Sequence, residues 1–175
     1  MKCKNFFKTM AAAICAASLL MTGCSSDKAA GDTIKIGAIG EMTGGNASYG
    51  TSMMRGFNMA VKEINANGGI NGKKIALVEA DTKSEPAEAA NAMSKLINQD
   101  KVSMVAGIFT SSSAIAACNI SETAKIPYLA IGATNPSVTV AKDGSTKPNT
   151  FRVCFIDPFQ GTVGANFVSN ELKAK

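Results

Sequence analysis

The chain has 175 residues, 46% hydrophobic and 18% charged, with a formal net charge of +5 and neither His nor Trp. That length holds one domain of ordinary size, and the composition is too apolar for a disordered chain. Without His there is no Ser-His-Asp or Cys-His relay, no His metal ligand and no imidazole general base, and the positive excess points to nucleic acid only if the basic residues cluster.

Lys2, Lys4 and Lys8 precede an apolar run from Met10 to Met21. That run is shorter than the roughly 20 residues a membrane-spanning helix needs. A basic start, a short apolar stretch and small residues before a processing site predict a secretory signal peptide over residues 1–23. Leu20-Met21-Thr22-Gly23-Cys24 resembles a bacterial lipobox, with Met21 where Leu is usual. The resemblance implies cleavage before Cys24 and lipid attachment to it, an anchor that holds a domain at the membrane without a spanning helix. Cleavage removes three of 18 basic residues and no acid, leaving 15 against 13, a net +2. The remaining basic residues are scattered, so no nucleic-acid partner is expected. Cys3 and Cys15 leave with the signal peptide. Cys118 and Cys154 are either a bridge, which an oxidising exterior permits, or two thiols packed as small hydrophobes. They are too few for a metal site.

Residues 24–32, rich in Ser, Ala, Gly and charge, read as a flexible linker. Thr33 to Gly40 is a β-branched run and the first predicted strand. A Gly- and Ser-rich loop from Glu41 to Tyr49 leads to a helix over about Gly50 to Asn67, with Phe57, Ala60, Val61 and Ile64 on its apolar face. Asn67-Gly68-Gly69 stops it. Strand two runs from Lys74 to Ala80, with Asp81 at its end. Ser84-Glu85-Pro86 opens helix two, which buries Ala89, Met93, Leu96 and Ile97. Strand three covers Val102 to Ile108, helix three about Ser112 to Thr123, and strand four Ile126 to Ile131. Strand five covers Phe151 to Phe155. A fourth helix starts near Asp157-Pro158 and turns Val163, Phe167, Val168 and Leu172 inward. This alternation predicts an α/β fold, a doubly wound parallel sheet in the order 2-1-3-4-5 flanked by helices.

Ligands of such sheets sit beyond the carboxyl ends of the strands, where the strand order reverses. In the predicted order, strands one, three and four are neighbours, and each ends in an unusual loop. Ser111-Ser112-Ser113 offers hydroxyls and free N–H groups at a helix start, either as an anion site or as a plain cap. Gly132-Ala133-Thr134-Asn135-Pro136 is either a backbone approach for a ligand, with a hydroxyl at Thr134, or a loop entering a turn. Tyr49 is either an apolar wall or a surface aromatic packed on the helix behind it. Glu79 and Asp81 read as solvated strand-end acids. G-x-G-x-x-G, G-x-x-x-x-G-K-[ST] and G-x-S-x-G are absent, so dinucleotide, P-loop and hydrolase sites are not expected. Nothing here forms a nucleophile–base pair, so the chain reads as a non-enzyme without metal or cofactor.

Four segments together resemble one known family. They are Ile36 to Gly44, Glu63 to Gly72, Gly107 to Ser113 and Gly132 to Pro136. The family is the bacterial branched-chain amino acid binding proteins of the type I periplasmic-binding fold, which serve ABC transporters. The resemblance covers about Thr33 to Lys175. It implies that Ser111, with Ser112 and Ser113, holds a ligand carboxylate. It implies that Gly132, Ala133 and Thr134 hold the carboxylate and ammonium, and that Tyr49 lines the side-chain pocket. Some members bridge the loops after strands two and three with a disulfide, where this chain has Ser84 and Thr110. The family closes two lobes around its ligand. Residues 33–175 correspond to the amino-terminal lobe, so weak binding is expected of them alone. The implied function is extracytoplasmic, lipid-anchored capture of branched-chain or related amino acids and delivery to an ABC permease and its ATPase. The alternative is an extracytoplasmic ligand-sensing domain for small amino acids or amides.

Overall fold

The first strand, β1 (Thr33–Gly40), begins with alternating exposure and ends in four buried residues, as a strand does when helices close over it. The computed structural model describes residues 33–174. The predicted signal peptide, the Cys24 lipid site and the 24–32 linker lie outside these residues. Helix α1 (Ala47–Ala66) follows, then β2 (Lys74–Asp81), α2 (Pro86–Asn98), β3 (Met104–Gly107), α3 (Ser111–Ala124) and β4 (Tyr128–Ala130). A 3-10 turn over Pro136–Val138 leads to β5 (Thr150–Arg152). Last comes α4 (Asp157–Asn166), which runs on into a π-helical turn over Phe167–Glu171.

All five strands pair in parallel, in the order β2-β1-β3-β4-β5. The expected order is therefore the observed one. Right-handed crossovers that move first one way along the sheet and then the other must lay their helices on opposite faces. Accordingly α1 packs on β1 and β2, while α2 and α3 pack against each other as well as on the sheet. The core lies on the α2–α3 side. Ile39, Val105, Tyr128 and Ala130 from the sheet meet Met93 and Leu96 of α2 and Ala114, Ala117 and Cys118 of α3. The four residues expected to form the buried stripe of α2, Ala89, Met93, Leu96 and Ile97, are the four that are buried. Pro86 starts that helix, where its missing N–H costs nothing.

Three expectations need correction. Helix α1 begins three residues early, and its fully buried positions are Gly50 and Met54; Phe57 and Val61 are half-buried, but Ala60 and Ile64 are exposed. The helix packs mainly on β1 and β2, and its buried stripe is narrower than its apolar face. Strand β5 ends at Arg152, which leaves Cys154 in a bend beyond it. The expected inward residues of α4 all face solvent: Val163, Phe167, Val168 and Leu172 are 45–61% exposed. Phe159, Val163 and Phe167 follow helical spacing and make an apolar stripe, but no described element covers it, and no residue of α4 is buried. Cys118 and Cys154 are both free thiols. The buried Cys118 Sγ accepts from Lys147 Nζ at 3.1 Å, a bond that ties the loop after the 3-10 turn to α3.

Candidate ligand-binding site

The loops after β1, β3 and β4 meet at the carboxyl edge of the sheet because their strands are neighbours. Each is fixed by groups from outside itself. The β1 loop is gathered by Asp81 at the end of β2. Its Oδ1 accepts from the N–H groups of Met42 at 2.9 Å, Thr43 at 3.2 Å and Lys83 at 2.8 Å, and its Oδ2 from Thr43 Oγ1 at 2.6 Å. Partial burial pushes this carboxyl up, but the hydrogen bonds from Thr43, Lys83 and Met42 outweigh it and hold it below its ordinary 3.8. Ser84 Oγ donates to Thr43 O at 2.7 Å and accepts from Asn46 N at 3.1 Å. Ser84 and Thr110 thus both bond to the loop after β1, Ser84 to Thr43 and Asn46, and Thr110 to Glu41.

The turn between β3 and α3 is sharp. Gly107 has φ 137° and Ile108 φ 58°. A Cβ on Gly107 would lie 1.8 Å from Ile39 O, so glycine is obligatory there. A β-branched residue in the left-handed region is strained by about 1–3 kcal/mol, and Ile108 is kept there by complete burial and by its N–H bond to Ile39 O at 2.8 Å. Beneath the turn, Tyr128 donates to Gly107 O at 3.3 Å. Burial, with Cys118, Glu41 and Cys154 nearby, pushes the Tyr128 hydroxyl well above 10, so it remains a neutral donor.

Out of this turn come Phe109 and Ser111. Phe109 stacks on Tyr49 with ring centroids 4.3 Å apart and planes 7° from parallel. The Phe109 ring also lies against Gly132, where an added Cβ would stand 2.4 Å from Phe109 Cδ2. The Phe109 ring thus links Tyr49, in the first turn of α1, to Gly132 in the β4 loop. An open hollow of about 630 Å³ borders it, lined by Tyr49, Met53, Phe57, Phe109 and Ile131 with Ser48, Ser52 and Gly56. Tyr49 thus stacks on Phe109 of a neighbouring loop and is 52% exposed.

Ser111 is the first residue of α3, and its Oγ accepts from Asn135 N at 3.2 Å, which joins the helix start to the β4 loop. Ser112 is exposed. Ser113 is wholly buried, and its hydroxyl has no hydrogen-bond partner among the described residues. In the β4 loop, Ala133 is buried and its carbonyl accepts from Arg152 Nη1 at 2.8 Å. Arg152 Nη2 also donates to Asn135 O at 2.9 Å, Pro136 O at 3.3 Å and Thr139 Oγ1 at 2.8 Å. Thr134 is half-buried, and its carbonyl takes the N–H of Asp157 at 3.2 Å.

The seven sequence-predicted residues therefore fall on one rim. Three further residues that build it, Glu41, Phe109 and Arg152, were not among them. Glu41 is wholly buried and accepts from Phe109 N, Thr110 N and Thr110 Oγ1. An acid directly after an apolar strand was its only sequence signal. Chemically, the rim offers helix-start N–H groups and hydroxyls to an anion beside aromatic and aliphatic surface. Among the described residues, no three His, Cys, Asp or Glu side chains converge to hold a metal ion.

Residues 33–175 match the model of the periplasmic binding protein family. An amino acid binding protein of Pseudomonas aeruginosa is 44% identical over 142 residues, 81% of this chain and 37% of the relative. The branched-chain amino acid transporter substrate binding protein LivJ of Streptococcus pneumoniae, solved with isoleucine, superposes with a TM-score of 0.74 at 43% identity, covering 81% of this chain and 39% of that one. A solute binding protein of Rhodopseudomonas palustris solved with 3,4-dihydroxybenzoic acid superposes at 0.70 with 27% identity, covering 80% and 37%. The chain thus spans less than two fifths of the length of these relatives.

Proposed function

The chain belongs to the periplasmic binding protein family, and from that premise we propose that it is the amino-terminal ligand-capturing lobe of an ABC transporter's solute-binding component. Periplasmic binding proteins are extracytoplasmic, and they bind solutes without transforming them. The ligand is a branched-chain or related amino acid, passed on to a permease with its ATPase. Cys24 carries the lipid that tethers the protein to the membrane.

One observation carries the reading: an open helix start and a stacked aromatic wall lie side by side on one rim. A free amino acid is a carboxylate and an ammonium on one carbon, with a side chain leading away. In our assignment the α3 N–H groups, with Ser111 and its neighbours Ser112 and Ser113, take the carboxylate through orphan donors and the positive end of the helix dipole. Gly132 and Ala133 present backbone, and Thr134 presents its hydroxyl, to the carboxylate and ammonium. Tyr49, seconded by Phe109, receives the apolar side chain. The 43% identity to a protein solved with isoleucine supports this over the aromatic acid found in the 27% identical relative.

A ligand panel tests it. Calorimetry or NMR titration of the chain with isoleucine, leucine, valine and 3,4-dihydroxybenzoate should rank the aliphatic amino acids first, with weak, millimolar affinity for this lobe alone. Ser111→Ala and Thr134→Ala should each weaken isoleucine by about three- to tenfold, the worth of one hydrogen bond. Unchanged affinity in both variants, or a preference for the aromatic acid, would sink the assignment. For the anchor, Cys24→Ser should move the protein from the membrane fraction to the soluble fraction. Persistence in the membrane fraction would refute it.

A further inference from the structure

Thr110 occupies the N-cap position of α3, where a threonine hydroxyl ordinarily accepts from the second or third N–H of its helix. Here it makes no such bond. Its Oγ1 donates to Glu41 Oε1 at 2.7 Å, and its N–H donates to the same oxygen at 2.9 Å. Glu41 Oε2 takes the N–H of Phe109 at 3.0 Å. The carboxylate reaches this turn from the end of β1, 69 residues earlier in the chain, and is wholly buried. It therefore satisfies the turn and at the same time points the cap side chain away from the helix it would cap. A cap and a bound carboxylate compete for the same N–H groups at the helix start, of which Ser112 is exposed and Ser113 wholly buried.

We propose that Glu41 is a positioning residue for the carboxylate subsite: by engaging Thr110 it keeps the start of α3 uncapped and open to ligand. The proposal rests on reading that helix start as the place where the ligand carboxylate binds. Glu41 makes no ligand contact of its own. Its three acceptor bonds all go to Phe109 and Thr110, so it also sets where the Phe109 ring emerges to meet Tyr49.

The test uses hydrogen exchange at the amide of Ser112, which is exposed, in the ligand-free chain, read by NMR. In the wild type the Ser112 amide should exchange fast, and Thr110→Val should leave it unchanged, because the hydroxyl is not serving as a cap. Glu41→Ala frees Thr110 to swing back and cap, which should slow exchange about fivefold, the effect of a typical cap bond. The double variant Glu41→Ala/Thr110→Val should return to fast exchange. Isoleucine affinity should fall at least about fivefold in Glu41→Ala, the effect of a typical cap bond, and recover only in part in the double variant, which still lacks the Glu41 bond to Phe109. A residue with a merely structural role would leave the double variant no better than Glu41→Ala, and that result would overturn the proposal. So would faster exchange in Thr110→Val, since it would mean that Thr110 already caps α3. Should Glu41→Ala not fold, Thr110→Val alone still decides, and Glu41→Gln, which keeps an acceptor for Thr110, should retain fast exchange. The exchange readout needs no ligand, so absence of isoleucine binding with the exchange pattern intact would count against the proposed function and not against the uncapping.

Discussion

Gly132 shows how a single missing side chain organises the rim. Its hydrogen is all that separates the β4 loop from the Phe109 ring, and a methyl there would stand 2.4 Å from Cδ2. Gly132→Ala should therefore displace the Phe109 ring and disturb its stack on Tyr49. The stack is worth about 0.5–1.5 kcal/mol beyond burial. The ring-current shifts of the Tyr49 protons should collapse towards free-tyrosine values, and unchanged shifts would show that the loop yields in place of the ring. Asp81 is the second decisive residue. Its folded-state carboxyl lies below the ordinary 3.8, so its contribution is complete above the unfolded value and is lost as pH falls through the folded one. Wild type should exceed Asp81→Asn in urea midpoint at neutral pH, and the difference should vanish well below pH 3.8. A difference independent of pH would mean that Asp81 acts by shape and not by charge.

At the scale of elements, the strongest periodic signals were the legible ones. Ala89, Met93, Leu96 and Ile97 repeat at helical spacing, and α2 buries those four. Thr33 to Gly40 is one β-branched run, and β1 has those limits. The start of α1 was less legible, because Asn46 makes no side-chain cap bond to mark it. The Glu41–Thr110 contact was not legible at all, since nothing local relates residues 69 apart. The α4 pattern misled for a different reason: an amphipathic stripe says that a face is apolar, not what covers it. The two helices should respond oppositely to truncation. Leu96 is fully buried, so Leu96→Ala should cost about 2–5 kcal/mol of unfolding free energy. Val163 is 49% exposed, and Val163→Ala should stay within about 0.5 kcal/mol. A comparable loss at both positions, measured by urea unfolding, would mean that α4 is packed in solution.

For the molecule as a whole, the topology makes the site. The order β2-β1-β3-β4-β5 brings the ends of β1, β3 and β4 together, and three loops far apart in sequence become one rim. The three clusters of candidate residues could be named from the sequence because each lies at a strand end and is small, polar or aromatic. What joins them, Phe109 against both Tyr49 and Gly132 and Ser111 Oγ on Asn135 N, needed the fold. The central claim is that this rim binds an aliphatic amino acid by its carboxylate. The most direct measurement is an amide-resolved NMR titration of the chain with isoleucine. The account predicts that the largest shifts fall on Ser111, Ser112, Ser113, Gly132, Ala133 and Thr134, with ring-proton shifts at Tyr49 and Phe109. Shifts concentrated elsewhere, or none at these residues with isoleucine near its solubility limit, would contradict it.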